Sequence, residues 1–144
     1  MKWPNDILCG AQKLAGILLE NTLAGPKIQH SVVGIGININ QRVFGVPTAT
    51  SLACLTGRAY ALAPLAARLL ECLERRYLQL RGGGVGALRA EYLRVLYRYQ
   101  EEHPFEVDGR RELGQIVGVD EAGRLALVLR TGLRYFDLKE IRYL

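Results

Sequence analysis

The chain has 144 residues, 49% of them apolar and 23% charged, and a formal charge of +5. That is the profile of a globular protein, and no apolar run reaches the roughly 18 residues needed to span a bilayer. The three cysteines, Cys9, Cys54 and Cys72, form no CxxC pair and stand far from His30 and His103, which excludes a disulfide framework or a zinc site. The start, Met1-Lys-Trp-Pro-Asn-Asp6, carries no signal-peptide stretch, so the expected compartment is the cytoplasm.

The first forty residues read as β-structure. Lys13 to Leu19 and Ile28 to Ile39 are rich in Ile, Leu and Val, with the turn residues Gly25 and Pro26 between them. Val32 to Asn38 is almost continuously apolar, which predicts a central strand covered on both faces. Gln41 to Thr50 reads as a loop. Leu62, Leu65, Leu69, Leu73 and Leu80 then recur at helical spacing, and Cys72 falls inside that pattern as an expected small buried thiol. Gly82-Gly83-Gly84 stops the helix. A second helix is predicted over roughly Val85 to Tyr97.

From Pro104 the pattern changes to short strands. Phe105 to Val107 and Glu112 to Val119 flank an Asp108-Gly109 turn, the signature of a tight hairpin. A second turn at 120–123 precedes strands at Arg124 to Leu129 and Arg134 to Phe136. Four or five strands in so short a stretch predict a small β-barrel or curled sheet. The positive charge is spread along the whole chain. Its densest stretch, Arg89 to Arg98, alternates with Leu and Tyr as a solvated helix face would. No nucleic-acid partner is expected from it, because the terminal strands lack aromatics interleaved on a basic face.

Three segments carry chemistry. Lys2-Trp3-Pro4-Asn5-Asp6 packs a cation, an aromatic, an amide and a carboxylate around a proline that fixes the backbone. Lys13-Leu-Ala-Gly16-Ile-Leu opens an apolar strand with a lysine, whose ammonium must meet an anion or snorkel to water. Gly16 allows close approach to the backbone. Val33-Gly34-Ile35-Gly36-Ile37-Asn38 is a glycine-bearing strand ending in an amide, read either as a core strand with a turn asparagine or as a surface for a ligand.

Together, in this order, these segments resemble the biotin protein ligases, whose catalytic domain carries KWPND, a K-L-A/G-G-I-L strand and a GxGIN strand. The resemblance continues through Ala49-Thr50-Ser51-Leu52 to the chain's end. It implies an α+β fold: a partial mixed sheet with helices, the second half of a ligase catalytic domain, over residues 1–100. A small SH3-like β-barrel would follow over 104–144.

The resemblance also implies a reaction. Biotin and ATP give biotinoyl-5′-AMP and pyrophosphate, and a lysine of a biotin carboxyl carrier domain, from acetyl-CoA carboxylase or a related carboxylase, attacks the adenylate. Lys13 matches the catalytic lysine that reaches the biotin carboxylate and α-phosphate. Lys2 matches a position at the nucleotide phosphates, and Asn5 and Asp6 match positions that place the nucleotide and Mg²⁺, with Asp6 the metal residue. Gly16 would let the strand backbone pair with biotin. Gly34, Ile37 and Asn38 match the adenine-side wall.

One departure stands out: no Gly-Arg-Gly-Arg run, the family's GRGRxGR biotin loop, occurs in the 144 residues. The expectation is therefore a chain incomplete by itself, partnered either by a second copy or by a missing N-terminal half. The alternatives are a non-catalytic remnant that binds nucleotide or a partner, and a relative acting on lipoate or octanoate. The KWPND and GxGIN segments argue against the last.

Overall fold

The computed structural model describes residues 1–25 and 27–144; Pro26, named above as a turn residue, lies outside the described residues. The fold is α+β, arranged as two compact units: Asn5–Gly84, and Met1–Pro4 together with Val85–Leu144. The helix that begins at Val85 and the first four residues thus group with the terminal strands.

The first unit is built on an antiparallel sheet of β1 (Asp6–Cys9), β2 (Gln12–Ala24) and β3 (Lys27–Ile37), in the order β1-β2-β3. Gly25, at φ +59°, follows β2 in the left-handed region that glycine enters freely. A short helix, α1 (Leu52–Thr56), is capped by Ser51, whose hydroxyl accepts from the Cys54 N–H. The long helix α2 (Leu62–Arg81) ends at the triple glycine as its sequence predicts, with Gly82 N–H bonded to Leu78 O.

Two expectations fail in this unit. The Val32–Asn38 run is not a doubly covered central strand: β3 is an edge, and Val32 is 65% exposed. Cys72 is exposed, and α2 buries none of its residues. The reason is common to both. An apolar run or stripe records that a surface suits burial, but cover must come from another layer, and the described residues supply none there.

The second unit holds the core. Helix α3 (Val85–Arg94) stops short of the predicted Tyr97. Bonds from Val95 N to Tyr92 O and Leu96 N to Leu93 O tighten the chain into turns, and Arg98 and Gln100 then take positive φ. Five antiparallel strands follow: β4 (Glu102–Val107), β5 (Arg110–Val119), β6 (Leu125–Leu129), β7 (Gly132–Phe136) and β8 (Ile141–Tyr143), in the order β7-β6-β5-β4-β8. The Asp108-Gly109 hairpin forms as predicted, with φ +51° and +73° at its two residues, the twist a two-residue turn needs. β8 has only three residues, too few to leave a periodic signal.

Alternate residues of these strands point inward. Phe105, Val107, Ile116, Leu125, Leu127 and Phe136 are all fully or almost fully buried, each stabilising the fold by roughly 1.5–3 kcal/mol. Trp3 belongs to this same core, 6% exposed, and its indole N–H donates to Gly123 O at 2.9 Å.

The turn that receives Trp3 is itself held by Asp120. One carboxylate oxygen accepts from the N–H groups of Ala122 and Arg124, and the other binds the Arg124 guanidinium at 2.8 Å. Desolvation pushes the Asp120 carboxyl up, but the hydrogen bonds and charge of Arg124 outweigh it and hold it below the usual carboxylate range.

Two outcomes are expected. Trp3→Ala lowers the free energy of unfolding by about 3–5 kcal/mol, and Trp3→Phe by about 1–2 kcal/mol, in urea titrations followed by far-UV circular dichroism. A loss for Trp3→Ala no larger than that of an exposed substitution such as Arg68→Ala contradicts the anchor. Because its folded pKa is depressed, Asp120 stabilises the fold fully above its unfolded pKa of about 3.9, and that contribution is lost as pH falls through the lower folded value. The stability gap between the native chain and Asp120→Asn should therefore close in acid. A pH-independent gap contradicts the charge-assisted turn.

Candidate active site

Within the unit Asn5–Gly84, the register of β1 and β2 decides where the chemistry sits. Asp6 lies opposite Gly16 and Ile7 opposite Ala15, but Leu8 lies opposite Lys13. Leu14 is therefore an extra residue on β2, a β-bulge. Bulges break the alternation of side chains and re-aim one of them. Here Lys13 is turned onto the face carried by Asp6 and Gly16, and its Nζ sits 2.6 Å from Asp6 Oδ1.

Gly16 makes room for that pair. A Cβ at position 16 would stand 3.4 Å from both Cε and Nζ of Lys13 and 3.8 Å from Asp6 Oδ1. Gly16 occupies the middle strand, with Asp6 across from it on one side and Gly36 on the other. A ligand would reach it across the sheet face, since neither edge of β2 is free at that point.

Cross-strand partners share a face, so Asp6, Gly16 and Gly36 lie together, followed by Leu18 and Gly34. Gly34 and Gly36 are uncrowded: an added Cβ would meet nothing nearer than 3.8 Å and 4.0 Å. The result is a strip of bare backbone beside a lysine–carboxylate pair. Ile37 is opposite Ala15 and presents to the other face, because strand side chains alternate. The sheet thus does not bring Gly34 and Ile37 onto one wall.

Asn38 follows β3 and is fixed in place. Its N–H donates to Leu14 O at 3.0 Å, its carbonyl accepts from Leu52, and its side-chain amide donates to Thr50 O at 3.0 Å. Thr50 in turn donates its N–H to Lys13 O at 2.9 Å, and Lys13 N–H reaches Thr48 O at 2.7 Å. The Thr48–Ser51 segment therefore links the backbone of Lys13 to the amide of Asn38. Thr50 and Ser51 are buried, at 2% and 0% exposure, and Ser51 both caps α1 and bonds Gln41 O. Sequence reading had given Thr50 no role; two small polar residues ahead of a short helix announce a cap and nothing more.

Asn5 is exposed at its side chain, and its carbonyl accepts from Ile17 N–H at 2.9 Å. Lys2 belongs to the other unit, where its Nζ lies 4.7 Å from the centre of the Tyr143 ring. Among the described residues, no three His, Cys, Asp or Glu side chains cluster closely enough to hold a metal ion.

Comparisons with known proteins agree with these motifs. A family model described as "Biotin/lipoate A/B protein ligase family" matches residues 1–38. The chain is 38% identical over 131 residues to the biotin–[acetyl-CoA-carboxylase] ligase of Mycobacterium tuberculosis, covering 88% of this chain and 46% of that protein. It is 32% identical over 140 residues to the ligase of the same name from Paracoccus denitrificans, covering 90% and 56%. With the bifunctional ligase/repressor BirA of Bacillus subtilis it shares 28% identity over 139 residues, covering 93% and 43%.

Over most of its length the chain is similar to biotin protein ligases. It spans about half the length of the curated relatives it matches. Its fold follows the apo biotin protein ligase of Aquifex aeolicus with a TM-score of 0.79 at 23% identity, covering all of this chain and 65% of that one. A structure of the Aquifex aeolicus ligase in complex with biotin and ATP matches with a TM-score of 0.75 at 24% identity, covering 100% and 62%.

Two glycines of this face, Gly16 and Gly34, are expected to respond differently to added side chains. Gly16→Val drives the Lys13 side chain off Asp6, whereas Gly34→Ala leaves the pair intact, as read from the Lys13 Cε resonance. Asp6→Asn changes folding stability by less than about 1 kcal/mol, since the pair is half-exposed. A Lys13 signal indifferent to Gly16→Val contradicts the packing described.

Proposed function

We propose that this chain supplies the nucleotide side of a site that activates biotin with ATP and passes it to a carrier-protein lysine. The observation that carries the reading is the strip of bare backbone at Gly16, Gly34 and Gly36, bordered by the Lys13–Asp6 pair. It is supported by the names of the relatives, which are biotin ligases; none of those cited is a lipoate ligase.

In this reading a biotin carboxylate oxygen attacks the α-phosphorus of ATP and pyrophosphate leaves. The Lys13 ammonium is a fixed cation beside the phosphorus as negative charge builds on its oxygens. The carrier lysine amine then attacks the acyl carbon, and AMP departs. Asp6 holds Lys13 aimed until the anionic substrates arrive. The bulge and the backbone bonds to Thr48 and Thr50 keep Lys13 from having to be ordered at the moment of reaction. Asn38, with one amide hydrogen held by Thr50, offers its Oδ1 and second N–H to the adenine edge.

Mg²⁺ characteristically takes one or two carboxylates and completes its shell with water and nucleotide phosphates. Asp6, partly exposed and beside the Lys13 ammonium, is the residue that would hold it, and the ion would supply further neutralisation of phosphate charge. The five-stranded terminal sheet fits the role of the family's small SH3-like domain. Its partner in the cell would be a biotin carboxyl carrier domain in the cytoplasm. The exposed apolar face of β2 and β3 leaves room for either a second copy or a further ligase segment.

In an active ligase carrying this sequence, Lys13→Ala is expected to lower biotin-dependent pyrophosphate release by roughly 10²–10³-fold, with the fold intact. Near-normal release from that variant removes Lys13 from the chemistry. Undiminished MgATP binding together with no turnover in the native protein would instead favour a non-catalytic nucleotide-binding role.

A further inference from the structure

We propose that Tyr143 is a positioning residue for Lys2: its ring forms a neutral shelf that holds the Lys2 ammonium, with its charge uncompensated, for the phosphates of a nucleotide. The proposal rests on the reading of Lys2 as a phosphate-side residue and adds what places it there. Lys2 and Tyr143 stand at opposite ends of the sequence and in the same unit.

The backbone of Lys2 is clamped on both sides. The Met1 amino group donates to Val95 O, and Met1 O accepts from Tyr97 N–H. On the other side Trp3 is buried in the core and bonded to Gly123 O. What remains free is the side chain, and its Nζ lies 4.7 Å from the Tyr143 ring centre, within the roughly 6 Å at which a ring face attracts a cation. Among the described residues no carboxylate comes within ion-pair distance of Lys2. The contrast with Lys13, paired to Asp6, is direct. A carboxylate partner would fix a lysine but cancel its charge; an aromatic face fixes it and leaves the charge available.

The shelf is itself rigid. Tyr143 packs against Phe105, with ring centres 5.1 Å apart, and against Tyr97 at 6.1 Å. Register pairs Tyr143 with Phe105 across β4 and β8. Its hydroxyl is buried and, among the described residues, has no hydrogen-bond partner. A hydroxyl in that position contributes nothing to holding the ring, so the face of the ring is the feature that acts. Burial, with the neighbouring Tyr92 and Tyr97, pushes the phenol's pKa far up, so the ring meets Lys2 as a neutral phenol.

The test uses the 144-residue chain labelled at lysine Cε, in which only Lys2, Lys13, Lys27 and Lys139 contribute signals. Ring currents should move the Lys2 Hε protons upfield in the native chain and in Tyr143→Phe, and Tyr143→Leu should return them to free-lysine values. MgATP is the probe for binding. Lys2→Ala and Tyr143→Leu should each weaken it by about threefold to tenfold, the double variant no more than either alone, and Tyr143→Phe not at all.

Free-lysine shifts for Lys2 in both the native chain and Tyr143→Phe overturn the shelf, even if Tyr143→Leu does not fold. Weaker binding with Lys2→Ala but not with a folded Tyr143→Leu overturns it while leaving Lys2 on the phosphates. Unchanged binding with Lys2→Ala removes Lys2 from the phosphates and the shelf's purpose with it.

Discussion

Leu14 is the residue that β2 carries in excess over β1, and the bulge it makes turns Lys13 onto the face shared by Asp6 and Gly16. With regular alternation, Lys13 would share the face of Ala15 and Ile37, and the ammonium would have no carboxylate beside it. The glycine at position 16 would then leave an unfilled gap instead of a seat for a lysine side chain. The backbone bonds of Lys13 to Thr48 and Thr50, and of Asn38 to Leu14 and Thr50, hold the bulge in register and carry that placement to the end of β3. One local irregularity thus sets Lys13 beside Asp6 and Gly16.

The two units are stabilised differently. The terminal strands bury a continuous apolar cluster from Phe105 to Ile141, with Trp3 inserted into it. In the unit Asn5–Gly84, the hairpin of β2 and β3 and the helix α2 are held mainly by backbone bonds and leave large apolar side chains in the open, Leu18 and Leu23 among them. Surfaces of that kind suit partners and substrates because their apolar cover has yet to be provided. The motif Lys2–Asp6 draws on both units. Trp3 is fixed by a hydrophobic core and Asp6 by a strand ladder.

The two motif-associated lysines show two ways of keeping a cation in place. Lys13 is held by a carboxylate, an attachment that competes with any incoming anion and suits a group that must be released as substrate binds. Lys2 is held by an aromatic face, which orients it without neutralising it. Both arrangements avoid a buried, unpaired charge, whose cost would be several kcal/mol. They leave different amounts of the lysine charge uncompensated.

Much of this was legible in the residues. KWPND, the lysine-headed strand and GxGIN named the family because motifs are local and survive in linear order. The Asp108-Gly109 turn, the triple-glycine stop and the strand-rich ending followed from backbone preferences that one or two residues impose. What the tertiary structure alone decided is non-local. The bulge at Leu14 depends on β1 for its register, and the seating of Lys13 against Asp6 and Gly16 follows from that register. Thr50 gains its role from the Asn38 side-chain amide, which donates to its carbonyl from just past β3, and Trp3 from a turn at Gly123. The doubly covered strand and the buried Cys72 were misread for the complementary reason: hydrophobic pattern reports a surface's suitability for burial, whereas burial itself requires a partner layer that only the assembled fold can supply.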